Sequence, residues 1–204
     1  MDVTEMNSLQ VKKLQGGATM LEVLVSLLIL VLGLLGMVGL QIRAQLGTFE
    51  SYQRGQAIII AQDMADRIQV NRIAASCYVI TTDTSAGTPF LGTGYTGTPA
   101  CATAAGSAEM QTLAANDLSA WNNALKGAAE TASGNNIGGL LGARGCVSFD
   151  SSSSTYRVAV AWQGMQPTVA PTAGDASATC GKNLYGTENQ RREVSITLQI
   201  ATLT

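Results

Sequence analysis

Residues 18–40 read ATMLEVLVSLLILVLGLLGMVGL and contain a single charged residue, Glu22. The uninterrupted apolar stretch that starts at Val23 is long enough, at about 1.5 Å per helical residue, to cross a hydrocarbon core of about 30 Å. A cleaved secretory signal would need a small-x-small cleavage site soon after the apolar run, and the sequence has none there. The sequence therefore predicts one membrane-spanning helical segment at 18–40.

The residues on either side of this segment predict its orientation. Residues 1–17 are polar, carry Lys12 and Lys13, and end in a Gly-Gly pair, and positive charge favours the cytoplasmic side of a membrane. Four cysteines follow at wide spacings without a Cys-x-x-Cys motif: Cys77, Cys101, Cys146 and Cys180. Such cysteines are typical of disulfides, which form outside the cytoplasm. We therefore expect everything after Leu40 to lie on the far side of the membrane.

The composition of the 204-residue chain excludes several classes of function. Charged residues make up 13% and hydrophobic residues 46%, which is too apolar for a chain that is disordered throughout. The net charge of −2 gives no overall basic field for nucleic acid. The chain has no histidine, which removes His-based catalysis and His-ligated metal sites. We expect no enzyme activity, no metal or other cofactor, and no nucleic-acid partner.

The apolar segment continues without proline into residues 41–74, which we predict to be the amphipathic half of one long helix ending near Asn71. Apolar residues recur there at steps of three and four along one face, which only the polar Gln53 interrupts: Ile42, Leu46, Phe49, Ala57, Ile60, Met64 and Ile68. Oppositely charged pairs occur four residues apart on the remaining surface, in the favourable acid-first order: Glu50 with Arg54, and Asp63 with Arg67.

Glu22 is a carboxylate in an apolar setting, where an ionised group is costly unless it has a partner. If the chain is cut between Gly17 and Ala18, the new α-amino group supplies a positive charge, and Glu22 becomes the fifth residue of the mature chain. In a helical bundle the amine of one subunit would pair with the carboxylate of its neighbour, because such attraction is strong at low dielectric. The alternative is that Glu22 lies in the lipid headgroup zone.

The segment GGATMLEVLVS, residues 16–26, resembles the class III signal of type IV prepilins. That signal is a basic leader ending in Gly, followed by a small or aromatic residue, Thr or Ser, two apolar residues and Glu; Ala18 stands where the family most often has Phe. Further along, residues 51–72 read SYQRGQAIIIAQDMADRIQVNR. With the preceding GLLG segment, they make residues 16–72 similar to the PilV-type minor pilins, which carry Tyr-Gln-Arg and Ala-x-Asp-Met-Ala-Asp-Arg motifs there.

The resemblance implies the type IV pilin fold, an α+β arrangement in which a long N-terminal helix packs on a C-terminal antiparallel sheet. It implies that prepilin peptidase reads Gly17 and removes residues 1–17, that Ala18 becomes the methylated terminus, and that Glu22 acts in assembly. The implied partners are the membrane, other minor and major pilins, the pilus assembly platform and a PilY-type tip protein. The implied location is the bacterial inner membrane with a periplasmic head, and then the filament outside the cell.

Three glycines, Gly33, Gly36 and Gly39, recur three residues apart within the apolar segment. Small residues allow helices to approach one another closely in a membrane or filament core. Each glycine also lowers helix propensity by roughly 1 kcal/mol relative to alanine, which softens the helix. The sequence leaves both roles, close packing and flexibility, open.

Residues 75–204 are predicted to form a globular head. Its first part, 77–108, is rich in Thr, Gly, Ala and Ser and has no sustained period, which predicts a long exposed loop. Cys77 and Cys101 lie near the two ends of this loop. Among the three possible connectivities, we favour two disulfides: Cys77 with Cys101, and Cys146 with Cys180.

A short helix is predicted at about 116–126, with Asn116 or Asp117 as its N-cap. Three apolar residues share its core-facing side: Leu118, Trp121 and Leu125. A β-meander of three or four strands is predicted at about 144–204. There GCVSF and TYRVAVAW flank a serine-rich turn, and EVSITLQIA alternates most regularly. We expect the apolar face of this sheet to cover the second half of the long helix, with 163–188 as a polar loop stapled through Cys180.

Arg191 and Arg192 precede the last strand, with Lys182 nearby. We favour a solvated strand end or an interface pair over a phosphate site for these residues, because the basic patch is small. The leading hypothesis is a minor pilin that joins, primes or caps a type IV pilus by helix packing. Two alternatives remain: a minor pseudopilin of type II secretion, whose leader and helix are similar, and a pilin head that binds DNA or a surface through its loops.

Overall fold

The computed structural model describes Gly17 and residues 19–128, 131–133, 135–136 and 139–200. Helix α1 covers Met20–Val70 and α2 covers Ala108–Leu125. The described strands are β1 Leu91–Gly92, β2 Thr131–Ala132, β3 Asn135–Asn136, β4 Arg144–Asp150, β5 Thr155–Gln163 and β6 Arg191–Gln199. Short 3₁₀ helices occupy Arg72–Tyr78, Pro171–Ala173 and Glu188–Gln190. The chain divides into two compact units, one ending at Gln45 and one starting at Leu46.

The second unit is built on the C-terminal part of α1. Its buried residues follow the helical period: Gln53, Ala57, Ala61, Met64, Ala65 and Ile68. From Gln53 onward this is the face that the sequence predicts, but Ile42 and Phe49 of the predicted face are 54% and 46% exposed. The α-helix ends at Val70, and residues 72–74, which we expected to continue it, belong to the following 3₁₀ helix. The side chain of Asn71 holds this junction by donating to the carbonyl oxygen of Met110 at 2.8 Å.

A four-stranded antiparallel sheet in the order β1-β4-β5-β6 packs against this helix. Strands β4 and β5 form the predicted hairpin, in which Val147 lies opposite Val158, and β6 pairs along the whole of β5. The two-residue β1 comes from the region that the sequence predicts to be an uninterrupted loop. Strands β2 and β3 form a separate two-stranded sheet that the sequence did not predict.

The two faces of the sheet pack against different parts of the head. Val158, Val160 and Trp162 of β5 belong to the main core, together with the buried residues of α1 and α2. The intervening Ala159 and Ala161 lie on the other face, in a smaller cluster with the following residues: Cys146, Cys180 and Tyr185. Segment 163–188 is therefore more than a polar surface loop, because part of it covers the second face of the sheet.

Helix α2 begins at Ala108, about eight residues before the predicted start. Its N-cap is Ser107, whose side chain accepts from the backbone N–H of Met110 at 3.4 Å. The expectation that Asn116 or Asp117 caps the helix is therefore wrong. The residues expected to face the core are buried: Leu118, Trp121 and Leu125.

Trp121 joins α2 to both α1 and the sheet. Its indole Nε1 donates to the carbonyl oxygen of Ile60 in α1 at 2.9 Å. Its ring lies directly over Gly145 of β4, where an added Cβ would collide with the ring. A glycine at this position is therefore needed for the helix to approach the strand so closely.

Asp117 lies in the middle of α2 and connects three segments. It accepts from the hydroxyl of Tyr78 at 2.6 Å and from Nη1 of Arg67 at 2.7 Å. Arg67 also pairs with Asp63 at 2.9 Å, the i,i+4 pair that the sequence predicts. Burial, together with the hydrogen bond to Asp117, raises the pKa of Tyr78. Asp117 thus ties α2 to the end of α1 and to the 3₁₀ helix.

We predict that Asp117→Ala lowers the free energy of unfolding of the head by about 3 kcal/mol, because the buried hydroxyl of Tyr78 loses its acceptor and Arg67 loses one of its two carboxylate partners. Denaturant unfolding followed by tryptophan fluorescence measures this change. The matched control is Asp63→Ala, which removes only the exposed partner of Arg67 and should cost less than about 0.5 kcal/mol. Equal losses for the two variants would contradict the role given to Asp117.

Candidate functional site

The candidate assembly site lies at the start of α1. Glu22 is exposed in the first helical turn. The backbone N–H of Glu22 donates to the side-chain hydroxyl oxygen of Thr19 at 3.3 Å. The backbone N–H of Val23 donates to the carbonyl oxygen of Thr19 at 3.2 Å. Thr19 therefore caps the helix. No salt bridge to Glu22 occurs among the described residues, so its carboxylate is available to a group from another molecule.

The processing residues lie just before this helix. Gly17 is exposed, and Ala18, like the leader residues 1–16, lies outside the described residues. Cleavage between Gly17 and Ala18 and methylation of Ala18 therefore stay predictions.

The side chains around α1 form a continuous apolar surface in the first unit. Within Met20–Leu40 the large apolar side chains are each between 49% and 87% exposed. An apolar surface of this extent exceeds what a soluble monomer normally leaves in water. Of the helices that the structure describes, α1 has the length and composition needed to cross a membrane. This surface is available to lipid or to other helices.

Gly33, Gly36 and Gly39 lie inside α1, which continues through them without a break. A Cβ added at any of the three would meet no described atom within 4 Å beyond the adjacent residues and backbone of α1 itself. Among the described residues, packing therefore does not require their small size. Whether they serve contact with other helices or bending stays a prediction.

Two disulfides hold the loops of the head. Cys77 is bonded to Cys101 across 24 residues, and Cys146 to Cys180 across 34. These are the two pairs that the sequence favours. The first joins the 3₁₀ helix after α1 to the loop before α2. The second fixes segment 163–188 to β4 on the second face of the sheet.

A family model described as Tt1218-like, Type IV pilin Tt1218, matches residues 39–119. The matched residues run from the end of the apolar surface through the amphipathic part of α1 and into α2. Over these residues the chain is similar to type IV pilins. It matches no curated protein and no solved structure. The protein has the type IV pilin fold expected from its sequence, a long apolar N-terminal helix and a four-stranded antiparallel sheet, and type IV pilins are structural rather than catalytic proteins.

Arg191 does not lie at a solvated strand end, the first of the two roles that we expected for it. Its side chain is fully buried. The guanidinium donates to Glu188 and to Glu193, each at 2.6 Å, and to the carbonyl oxygens of Ala178 and Cys180 at 2.9 and 3.2 Å. Arg191 therefore organises the loop before β6 and is not available to a phosphate.

Arg192 points to the opposite face of the sheet and pairs with Glu50 of α1 at 3.3 Å. Glu50 also accepts from the backbone N–H of Gln166 at 3.3 Å. The sequence predicts Arg54 as the partner of Glu50, but the sheet supplies it instead. This ion pair connects the first residues of β6 to α1 within the head.

Glu193 is the acidic residue that sequence reasoning missed. Its side chain is 2% exposed, and burial raises its pKa to about 7, although Arg191 and Arg157 nearby favour the charged form. The period-two pattern of β6 alternates polar with apolar residues and so places Glu193 away from the main core. Nothing in the sequence shows that segment 163–188 covers that second face, so the burial of Glu193 could not be predicted.

We predict that the free energy of unfolding falls as the pH rises from 4.5 to 7. The folded protein holds the proton on Glu193 more tightly than the unfolded chain, where the pKa is near the ordinary value of 4.5, so ionisation in this window favours unfolding. The fall should reach up to about 3 kcal/mol. Asp175, whose pKa of about 2 is lowered mainly by hydrogen bonds from Ser177 and Arg157, titrates below the window.

Denaturant unfolding at a series of pH values measures this slope. Glu193→Gln should flatten it, whereas Glu109→Gln, at an exposed position in the first turn of α2, should leave it unchanged. A wild-type slope that is flat or rising across the window would contradict the prediction.

Proposed function

We propose that this chain is a type IV pilin, a minor subunit of the PilV type, which joins a type IV pilus and primes or caps its assembly. The observation that carries the proposal is the exposed apolar surface of Met20–Leu40, on which Glu22 is the one charged residue. A surface of this kind is suited to transfer from lipid into a bundle of similar helices. The PilV subtype rests on the resemblance of residues 51–72 to that group.

In the proposed membrane stage, the subunit is inserted as a prepilin with its leader in the cytoplasm and its head in the periplasm. Prepilin peptidase then cleaves between Gly17 and Ala18. The oxidising periplasm suits the two disulfides of the head. The cleaved terminus is methylated, and the apolar segment keeps the subunit in the inner membrane.

In the proposed filament stage, the assembly platform moves the subunit among major and other minor pilins. The change from lipid to helix bundle alters hydrophobic burial little, because lipid tails are as apolar as leucine. Packing and charge must then fix the position of the helix along the filament. Glu22 supplies that charge by pairing with the α-amino group of a neighbouring subunit.

The head acts in the priming or tip complex, beside other minor pilins and a PilY-type tip protein. A minor pseudopilin of type II secretion has a similar leader and helix, and the resemblance of QRGQAIIIAQDMADRI to PilV favours the pilus. DNA capture by the head is disfavoured because Arg191 is buried and Arg192 is paired with Glu50.

The leader prediction is tested by intact mass. Coexpression with prepilin peptidase should remove residues 1–17 and add one methyl group to the new terminus. Gly17→Ala is expected to block the cleavage. A mature chain that keeps the leader would contradict the processing step.

The assembly prediction is tested with Glu22→Ala and Glu22→Gln. Both variants should accumulate in the membrane as wild type does, yet fall at least about tenfold in sheared filaments, because an attraction worth more than roughly 1.4 kcal/mol is lost. Quantitative mass spectrometry of membranes and filaments gives the ratio. Ser26→Ala, an exposed change one turn further along α1, serves as the control, and normal incorporation of Glu22→Gln would refute the charge pairing.

A further inference from the structure

A cleft of about 650 Å³ lies over the second face of the sheet. Its floor is formed by β4, β5 and β6, and its walls by residues 81–87 and 176–180. The two walls hold each other: the hydroxyl of Thr179 donates to the carbonyl oxygen of Thr84 at 2.6 Å, and a Cβ at Gly87 would collide with the backbone of Thr179. The volume is within the range of roughly 300–1,000 Å³ that is typical of small-molecule sites.

Two buried polar atoms on the floor, one on each of two charged side chains, have no hydrogen-bond partner among the described residues. The Oε1 atom of Glu193 has no hydrogen-bond donor within the described part of the chain, although its side chain is 2% exposed, and Nη2 of Arg157 lies 3.8 Å away. The Nε atom of Arg157 likewise lacks an acceptor there, while Nη2 is bonded to Asp175 at 2.7 Å. Buried polar atoms are normally satisfied. The floor therefore offers one acceptor and one donor close together.

The remaining lining restricts the chemistry of a ligand. Ser148 and Thr197 lie on either side of Arg157 in the register of the sheet, which gives the floor a row of polar side chains. Next to them, Ala159 and the disulfide between Cys146 and Cys180 supply an apolar patch. The site therefore combines hydrogen-bonding groups with a small apolar surface.

The charges around the cleft disfavour an ionic ligand. An anion would meet Glu193 and also Asp150, which lines the cleft, and Arg157 is already engaged by Asp175. A cation would meet Arg157, and it would compete with the 2.6 Å ion pair between Arg191 and Glu193. The surroundings suit a neutral molecule with adjacent donors and acceptors.

We propose that this cleft binds a neutral carbohydrate, whose hydroxyls donate to Oε1 of Glu193 and accept from Nε of Arg157. A sugar ring has hydroxyls around its edge and C–H groups on its faces, which match the polar row and the apolar patch. The walls are fixed in advance by the Cys146–Cys180 disulfide and by Arg191, which holds the carbonyl oxygens of Ala178 and Cys180. Such preorganisation lowers the cost of binding. This activity goes beyond the proposed role in assembly and does not depend on it.

The test uses the full mature chain in micelles of lauryldimethylamine oxide, a detergent without a sugar headgroup. Maltose, lactose and N,N′-diacetylchitobiose are titrated separately, and saturation-transfer NMR measures their binding. At least one should saturate, with a Kd of about 1 mM, the strength expected of a small polar ligand. A trialanine peptide is titrated in parallel to test whether backbone amides occupy the cleft instead.

The decisive variant is Ser148→Ala combined with Thr197→Val, which removes floor hydroxyls without touching the ion pairs. It should raise the Kd at least about fivefold, since each lost hydrogen bond contributes about 1 kcal/mol. Glu193→Gln should also weaken binding, provided that its thermal unfolding shows a folded head. The matched control is Ser51→Ala combined with Thr112→Val, two exposed hydroxyls outside the cleft, which should leave the Kd unchanged. Failure of all three sugars to saturate, equal binding by the floor variant, or binding of trialanine alone would overturn the proposal.

Discussion

The exposed apolar surface of Met20–Leu40 is the constraint on which the rest of the molecule depends. Leaving a large apolar side chain in water costs roughly 1.5–3 kcal/mol, so this surface has to be covered by lipid or by other proteins throughout the life of the subunit. The same helix continues into the head, where its buried residues lie on one face. One helix thus carries two apolar patterns, and each pattern is matched to a different environment.

An all-round apolar helix has no preferred rotation or depth of its own in an apolar environment. Moving it from lipid into a bundle of other helices changes hydrophobic burial little, so the energy that fixes its position must come from elsewhere. Glu22, Ser26 and the three glycines are the departures from a uniform apolar surface that its sequence contains. Their positions on α1 are therefore the features by which a neighbouring subunit could recognise one register among many.

Regular patterns in the sequence predict the long helix, its buried face, the β4–β5 hairpin and the disulfide pairs. These features depend on periodicity or on the ends of a loop, which are local properties. The start of α2 was placed wrongly because Asp117 resembles an N-cap residue. In the fold Asp117 accepts from Tyr78 and Arg67, which are distant in sequence. The burial of Glu193 and Arg191 was not predicted for a similar reason. Segment 163–188 covers them, and its sequence has no regular apolar pattern.

The buried Arg191 shows that the segment over the second face of the sheet does more than cover Ala159 and Ala161. Replacing a buried ion pair by apolar residues of similar size is often neutral or stabilising, so stability alone does not account for such a group. Its contacts instead fix the backbone at Ala178 and Cys180, next to the disulfide that anchors the same segment to β4. A covalent and an ionic restraint on one short segment hold one wall of the cleft in a single position. The position of the other wall is fixed in turn, because the hydroxyl of Thr179 donates to the carbonyl oxygen of Thr84.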